Sequence, residues 1–257
     1  MEKQTISVAL ATYNEEKNLP DCLESVKDFA DEIVIVDGQS FDKTVEIAKN
    51  YKAKVKITTN KPIFHINKQM AIDMVSSDWV LQLDADERVT EELKKEILSV
   101  TASKSVLNGY WIPRKNWFLG RFLTKGGQYP DYTLRLYRRG KGRLPQKSVH
   151  EQAEVSGTVG FLTNPLVHIA DPNFSRYIKR WGRYTNLISK EIEEKHIGYN
   201  PIFALKYIFV LPVWWFLLTY VRHKGFVDLW QGFVFSFFSS LRFPVSYIKY
   251  LKRKIKA

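Results

Sequence analysis

The stretch WVLQLDADERV, residues 79–89, places a β-prone apolar run, Trp79, Val80, Leu81 and Leu83, directly before Asp84, Asp86 and Glu87. Such a run reads as a buried strand, and this one is expected to end at Asp84–Asp86. Working upstream, ISVALATY (6–13) and EIVIVDG (32–38) are short β-branched apolar runs of the same kind. Between them Leu19, Cys22, Leu23 and Val26 recur at helical spacing. After Asp42, a good N-cap residue, Val45, Ile47, Ala48 and Tyr51 predict a second helix, with KVKITT (54–59) as a third strand. A further helix carrying Ile66, Met70 and Met74 on one face leads into the quoted strand. The order β-α-β-α-β-α-β predicts an α/β fold with a parallel sheet covered on both faces.

In such sheets ligands bind beyond the carboxyl ends of the strands. The chain puts polar clusters there three times: TYNEE at 12–16, DGQS at 37–40 and DADE at 84–87. Oxygen ligands at Asp84 and Asp86 suit a hard divalent cation, Mg²⁺ or Mn²⁺, which in turn binds a diphosphate. The competing reading makes these acids caps and first-turn charges for a helix starting near Thr90, at TEELKKEIL. The recurrence of polar clusters at the other two strand ends favours the ligand site. From Gly109 the pattern turns irregular and aromatic, with GYWIPRKNWFLG and YTLRLYRRG as further strands.

Composition narrows the partners. A chain of 257 residues with 45% hydrophobic and 14% aromatic content can bury a real core. The single Cys22 rules out a disulfide framework within one chain and fits a reducing compartment. The first dozen residues hold too few apolar positions for a signal peptide, so the catalytic part is expected to stay in the cytoplasm. Of the net charge of +12, the segment 201–257 carries +8, nine Lys/Arg against Asp228 alone. That tail contains YIFVLPVWWFLLTYV (207–221) and LWQGFVFSFFSSL (229–241), both uncharged, and closes on KYLKRKIK (249–256). Spanning a bilayer takes ~20 apolar residues, and Pro212 interrupts the first run. The tail therefore reads as helices in or on an anionic membrane surface, with a buried helical hairpin as the alternative. A nucleic-acid partner is not expected, because the aromatic runs contain almost no basic residues to interleave with stacked bases. A nucleotidyltransferase would want a glycine-rich basic loop after the first strand, where ATYNEEKN has no glycine.

Three segments in order, VALATYNEEKNLPDCLESV, EIVIVDGQSFDKT and DWVLQLDADE, resemble the family 2 glycosyltransferases of the GT-A fold. The resemblance is strong over roughly residues 5–90, and through RLYRRGKGRLPQKSVHE it is similar to the lipopolysaccharide core β-glucosyltransferase branch. It implies a Rossmann-like, mostly parallel GT-A catalytic domain over residues 1–172 and a helical, membrane-associated region over 173–257. The implied activity is an inverting transfer of a sugar, a hexose in that branch, from a UDP-sugar donor. The implied acceptor is a glycolipid or other lipid-linked saccharide at the cytoplasmic membrane face. By the same resemblance, Thr12, Tyr13 and Glu15 would cradle the nucleoside, and Asp37, with Ser40 nearby, would bond the uracil. Asp84 would approach the ribose or a water on the metal, and Asp86 would bind the metal.

Inversion also needs a base on the acceptor side. Glu151 in SVHEQ is the first candidate, with Asp131 in YPDYT the second, and His150 could contact the metal or diphosphate. A surface pair with Lys147 is the competing reading of Glu151. Arg135 is a candidate diphosphate contact; Arg138, three residues on, should face the other side of the strand. His168 in PLVHIA is either a metal ligand or a satisfied core histidine. Oligomeric state, the sugar and the choice of metal are not specified.

Overall fold

The computed structural model describes residues 4–103, 106–146, 152–194 and 200–256. The first ninety residues alternate as expected: β1 (Ile6–Thr12), α1 (Leu19–Glu24), β2 (Glu32–Asp37), α2 (Thr44–Asn50), β3 (Lys54–Ile57), α3 (Phe64–Asp73) and β4 (Trp79–Leu83). The strands lie in the order β3-β2-β1-β4, and all three pairings are parallel. Because side chains alternate along a strand, each strand feeds two cores. Val8, Leu10, Ile33, Ile35, Leu81 and Leu83 pack with Leu19, Cys22 and Leu23 of α1. Ala9, Val34, Val36 and Val80 pack with Ala71 and Ile72 of α3 on the opposite face. Cys22 is fully buried as expected, and burial pushes its thiol well up from the ordinary value. The outer strand β3 carries exposed Lys54 and Lys56, charges that discourage pairing with another chain. Helix α2 begins at Thr44 rather than directly after Asp42; the Asp42 carboxylate accepts from the Thr44 amide at 3.0 Å from one residue further upstream.

Beyond β4 the chain continues through β5 (Glu87–Val89), α4 (Glu91–Ala102), β6 (Gly109–Phe118), β7 (Arg121–Phe122), β8 (Asp131–Arg138), β9 (Gly142–Arg143), β10 (Glu154–Val155), β11 (Val159–Phe161) and β12 (Leu166–Asp171). Here the sheet becomes mixed. β8 runs antiparallel to β4 and to β6, and β12 runs antiparallel to β5. Parallel pairing holds the first four strands together and also joins the short β11 to β6. The cap of α4 is Thr90, whose hydroxyl accepts from the Leu93 amide at 3.1 Å, so Asp84 and Asp86 are not needed as caps.

The chain divides into two units, Met1–Arg114 with Asp131–His168, and Lys115–Pro130 with Ile169–Ala257. The second is built on α5 (Phe174–Glu194), a helix Pro201–Arg222 and a C-terminal helix Leu229–Lys256. Trp215 Nε1 donates to Ser239 Oγ at 3.2 Å, and Tyr207 stacks on Tyr247 at 5.4 Å, so the last two helices form an antiparallel hairpin. Trp181 Nε1 of α5 donates to the Phe238 carbonyl at 2.8 Å. At the hairpin turn a Cβ on Gly232 would stand 1.8 Å from the Gly225 carbonyl oxygen, an approach only glycine permits. Asp228, fully buried there, accepts from the Thr124 and Lys125 amides at 2.9 and 2.7 Å and from the Thr124 hydroxyl at 2.8 Å.

That buried carboxylate accepts three hydrogen bonds, two of them from backbone amides, so Asp228→Ala should cost about 3 kcal/mol of stability in chemical denaturation. Asp228→Asn, which keeps one acceptor oxygen, should cost less.

Candidate active site

The turn after β4 is closed from both sides. The Glu87 amide donates to the Asp84 carbonyl at 2.9 Å, and the Asp84 amide donates to the Glu87 carboxylate at 2.9 Å. This ends the strand at Leu83, as the sequence predicts, and sets Asp84, Asp86 and Glu87 at its carboxyl end. Opposite them, the β6–β8 register slips by one residue between Tyr110 and Trp111, leaving Arg135 as the unmatched residue on β8. A bulge of this kind re-aims a side chain. The Arg135 guanidinium reaches Asp84 at 2.6 Å and Glu87 at 2.7 Å, and it also donates to the Gln82 side chain. Lys68 of α3 pairs with the other Asp84 oxygen. Arg114 of β6 stands 3.6 Å from Glu87 and bonds Asp131 at 2.7 and 3.0 Å.

Three carboxylates and three cations therefore interlock, from the fully buried Glu87 and Lys68, only 7% exposed, out to the half-buried Asp84, Arg114 and Asp131. Burial by itself would raise the Asp84 carboxyl, but the Arg135 and Lys68 charges outweigh it and hold it well below the usual carboxylate range. Burial likewise opposes the Arg135 charge, and Asp84 with Glu87 more than restores it. Arg138 faces away as expected, its guanidinium 4.6 Å from the Trp79 ring centroid.

At the ends of β1 and β2 a second set converges. Asp37, fully buried, accepts from the Thr12 hydroxyl at 2.9 Å, the Ser40 amide at 2.8 Å and the Ser40 hydroxyl at 2.6 Å. A carboxylate offers about four lone-pair positions, so about one remains for a ligand. Ser40 Oγ also accepts from the Asn14 amide at 2.8 Å, and the Glu15 amide donates to Thr44 at 2.8 Å. Tyr13, between them, is 42% exposed and meets Phe41 edge-on. Gly38 passes so close to Asn60 that a Cβ would come within 3.0 Å of its side chain.

The antiparallel pairing of β12 with β5 sets His168 opposite Glu87, and His168 Nε2 lies 3.6 Å from Asp86 Oδ1. Among the described residues no group of three His, Cys, Asp or Glu forms a metal cluster. Glu151, His150 and Lys147 lie outside the described residues. Lys68, Arg114 and Gln82 were not singled out from the sequence, and Glu87 was read there only as a member of the acidic cluster at 84–87. Lys68 had one readable signal: it shares a helix face with Ala71 and Ile72, positions that must be buried.

A mixed sheet whose strands β1, β2 and β4 carry polar groups at their carboxyl ends, with an Asp-Ala-Asp turn after the last of them, is the arrangement of a GT-A glycosyltransferase. A model of glycosyl transferase family 2 matches residues 7–153, and the chain belongs to that family. The lipopolysaccharide core biosynthesis glycosyltransferase LpsC of Rhizobium meliloti (strain 1021) is 31% identical over 259 residues, covering 93% of this chain and 92% of LpsC. An uncharacterized glycosyltransferase of Rickettsia typhi is 27% identical over 242 residues, covering 89% of this chain and 80% of its own length. Among solved structures, S. aureus TarS 1–349 in complex with UDP superposes with a TM-score of 0.53 at 19% identity, covering 88% of this chain and 75% of TarS. That likeness is one of fold.

Removing Arg135 would leave the buried Glu87 with only the longer 3.6 Å approach of Arg114 and the half-buried Asp84 with Lys68, so Arg135→Ala should lose about 3 kcal/mol. The Asp84 carboxyl, depressed in the folded state, contributes stability that is fully present above about pH 4 and is lost as pH falls through its folded value. Melting temperatures followed downward from that pH should fall less steeply in Asp84→Asn than in the wild type. Equal slopes would show that the ion pairs carry no net linkage.

Proposed function

We propose that this glycosyltransferase is an inverting, metal-dependent enzyme moving a hexose from a UDP-sugar to a lipid-linked saccharide of the lipopolysaccharide-core type. The observation that carries the reading is the convergence of Thr12, Asp37 and Ser40 with the Asp84 and Asp86 turn at the carboxyl ends of β1, β2 and β4. The UDP held by TarS supports the donor, and the kinship with LpsC supports the acceptor class.

In this reading Thr12, Tyr13 and Glu15 cradle the nucleoside and Asp37, oriented by Ser40, bonds the uracil. Asp84, engaged by Lys68 and Arg135, is the positioning group toward the ribose. Arg135, already shared between Asp84 and Glu87, supports the diphosphate through the Asp84 turn rather than as an unshared cation. Asp86, with a hard oxygen, and His168, with an imidazole nitrogen beside it, would hold Mn²⁺ or Mg²⁺. His150 is a further candidate ligand, and a cation bound there would neutralise charge on the leaving diphosphate. The acceptor hydroxyl oxygen attacks the anomeric carbon from the face opposite UDP, its proton passing to the base as the bond to UDP breaks. Glu151 is that base; Asp131, tied to Arg114, is the second candidate.

The reading extends to place and partners. Residues 1–172 form the catalytic part and 173–257 a membrane-associated part at the cytoplasmic face. Helix Pro201–Arg222 is long and apolar enough to cross a membrane by length and composition, and it exposes Ile202, Phe209, Val213 and Trp214. With Lys206, Arg222 and Lys224 at its ends, it suits insertion beside anionic lipids.

Calorimetry of UDP binding to the full chain in detergent should show metal-dependent affinity that chelator removes and Asp86→Ala weakens by about a hundredfold. No UDP binding in either condition would end the donor assignment. Glu151→Gln should keep UDP binding and lower turnover by about 10²–10⁴-fold. Near wild-type turnover would pass the role to Asp131.

A further inference from the structure

The second unit contains a groove unrelated to the nucleotide-binding set, between the last turns of α5 and the C-terminal part of helix Leu229–Lys256. It encloses about 550 Å³, and its charged lining is entirely basic: Arg183 and Lys190 from α5, Lys249, Lys252 and Arg253 from the facing helix. Leu187 and the aliphatic stems of these side chains make its floor apolar. The cations are held mainly by neutral acceptors. Lys249 Nζ donates to the Gly182 carbonyl at 3.1 Å and to Thr185 Oγ at 2.8 Å, and Arg253 donates to Ser189 Oγ. Glu193 borders the groove at 3.4 Å from Arg253. Burial, then the neighbouring Arg253 charge, lowers the Lys249 ammonium from its ordinary value. Packing like charges from two helices around one cavity is unfavourable unless an anion completes it.

The surroundings indicate what carries that anion. Tyr250 and Leu251, next to the groove residues on the C-terminal helix, pack with Ala204, Tyr207 and Ile208 of helix Pro201–Arg222. That same end of the helix exposes Ile202 (73%), Leu205 (57%) and Phe209 (61%). A basic groove with an apolar floor thus stands beside uncovered aliphatic and aromatic side chains, matching a phosphate group attached to acyl chains.

The geometry points to the α5–C-terminal helix groove as a binding site for the phosphate headgroup of an anionic membrane lipid. This rests on the reading of the second unit as membrane-associated and adds to it a defined headgroup site.

The test is flotation of the full chain with vesicles of phosphatidylcholine alone or with added phosphatidylglycerol. Arg183, Lys190 and Lys252 are exposed, so Arg183→Gln/Lys190→Gln/Lys252→Gln leaves the packing intact, as unchanged UDP binding by the same preparation will verify. The control, Lys49→Gln/Lys95→Gln/Lys141→Gln, removes the same charge from exposed positions of the first unit. The groove variant should lose about a hundredfold of the partitioning that phosphatidylglycerol adds, and the control only about twofold. Equal losses in the two variants, or none in the groove variant, would overturn the site while leaving membrane association standing. Wild type that floats with neither vesicle would overturn the membrane reading as well, with UDP binding still reporting on the donor site. Inorganic phosphate that binds wild type but not the groove variant, with no gain from phosphatidylglycerol, would overturn a lipid as the occupant.

Discussion

The Arg135 guanidinium, buried between Asp84 and Glu87, is the contact on which the carboxyl-end architecture depends. Glu87 and Arg135 are buried and Asp84 is half-buried, and each charge offsets the cost of burying the others. Lys68 and Arg114 extend the pairing to α3 and β6, so one charge network ties α3, β6 and β8 to the turn after β4. The network also separates two aspartates that look equivalent in the sequence. Asp84 has both oxygens engaged by cations, whereas Asp86 points toward the imidazole of His168.

Such a network needs rigid walls, and two-sided burial of the parallel strands supplies them. β1, β2 and β4 are apolar on both faces, with α1 on one side and α3 on the other. Helix α3 does double service. It presents Ala71 and Ile72 to the sheet and, one turn earlier, Lys68 to Asp84. Packing and electrostatics are therefore coupled through a single helix, and a change in its seating would move a charge in the site.

The second unit obeys a different balance. Its helices are closed by local devices, the Gly225–Gly232 approach and the Asp228 carboxylate, yet they leave large aromatic and aliphatic side chains uncovered. Basic residues gather at the helix ends and between α5 and the C-terminal helix. An apolar face and a basic groove within one unit suit a boundary between hydrocarbon and phosphate better than bulk water.

The sequence alone determined the elements whose signals are local. The runs at 6–13, 32–38 and 79–83 must be strands because their burial on both faces requires continuous apolar residues, and the polar ends at Thr12, Asp37 and Asp84 follow from where those runs stop. Short helices between them enforce parallel order, which sufficed for the α/β class and for the location of the site. What only the tertiary structure decided involves partners distant in the chain. The antiparallel half, the bulge that turns Arg135 inward, and the meeting of Lys68, Arg114 and His168 with the 84–87 turn all depend on pairings across tens of residues. A periodic pattern reports which face a residue occupies; it does not report which strand will lie beside it. Lys68 illustrates the limit: its helix face announced burial, while the counter-charge that makes burial tolerable, Asp84, lies in the turn after β4.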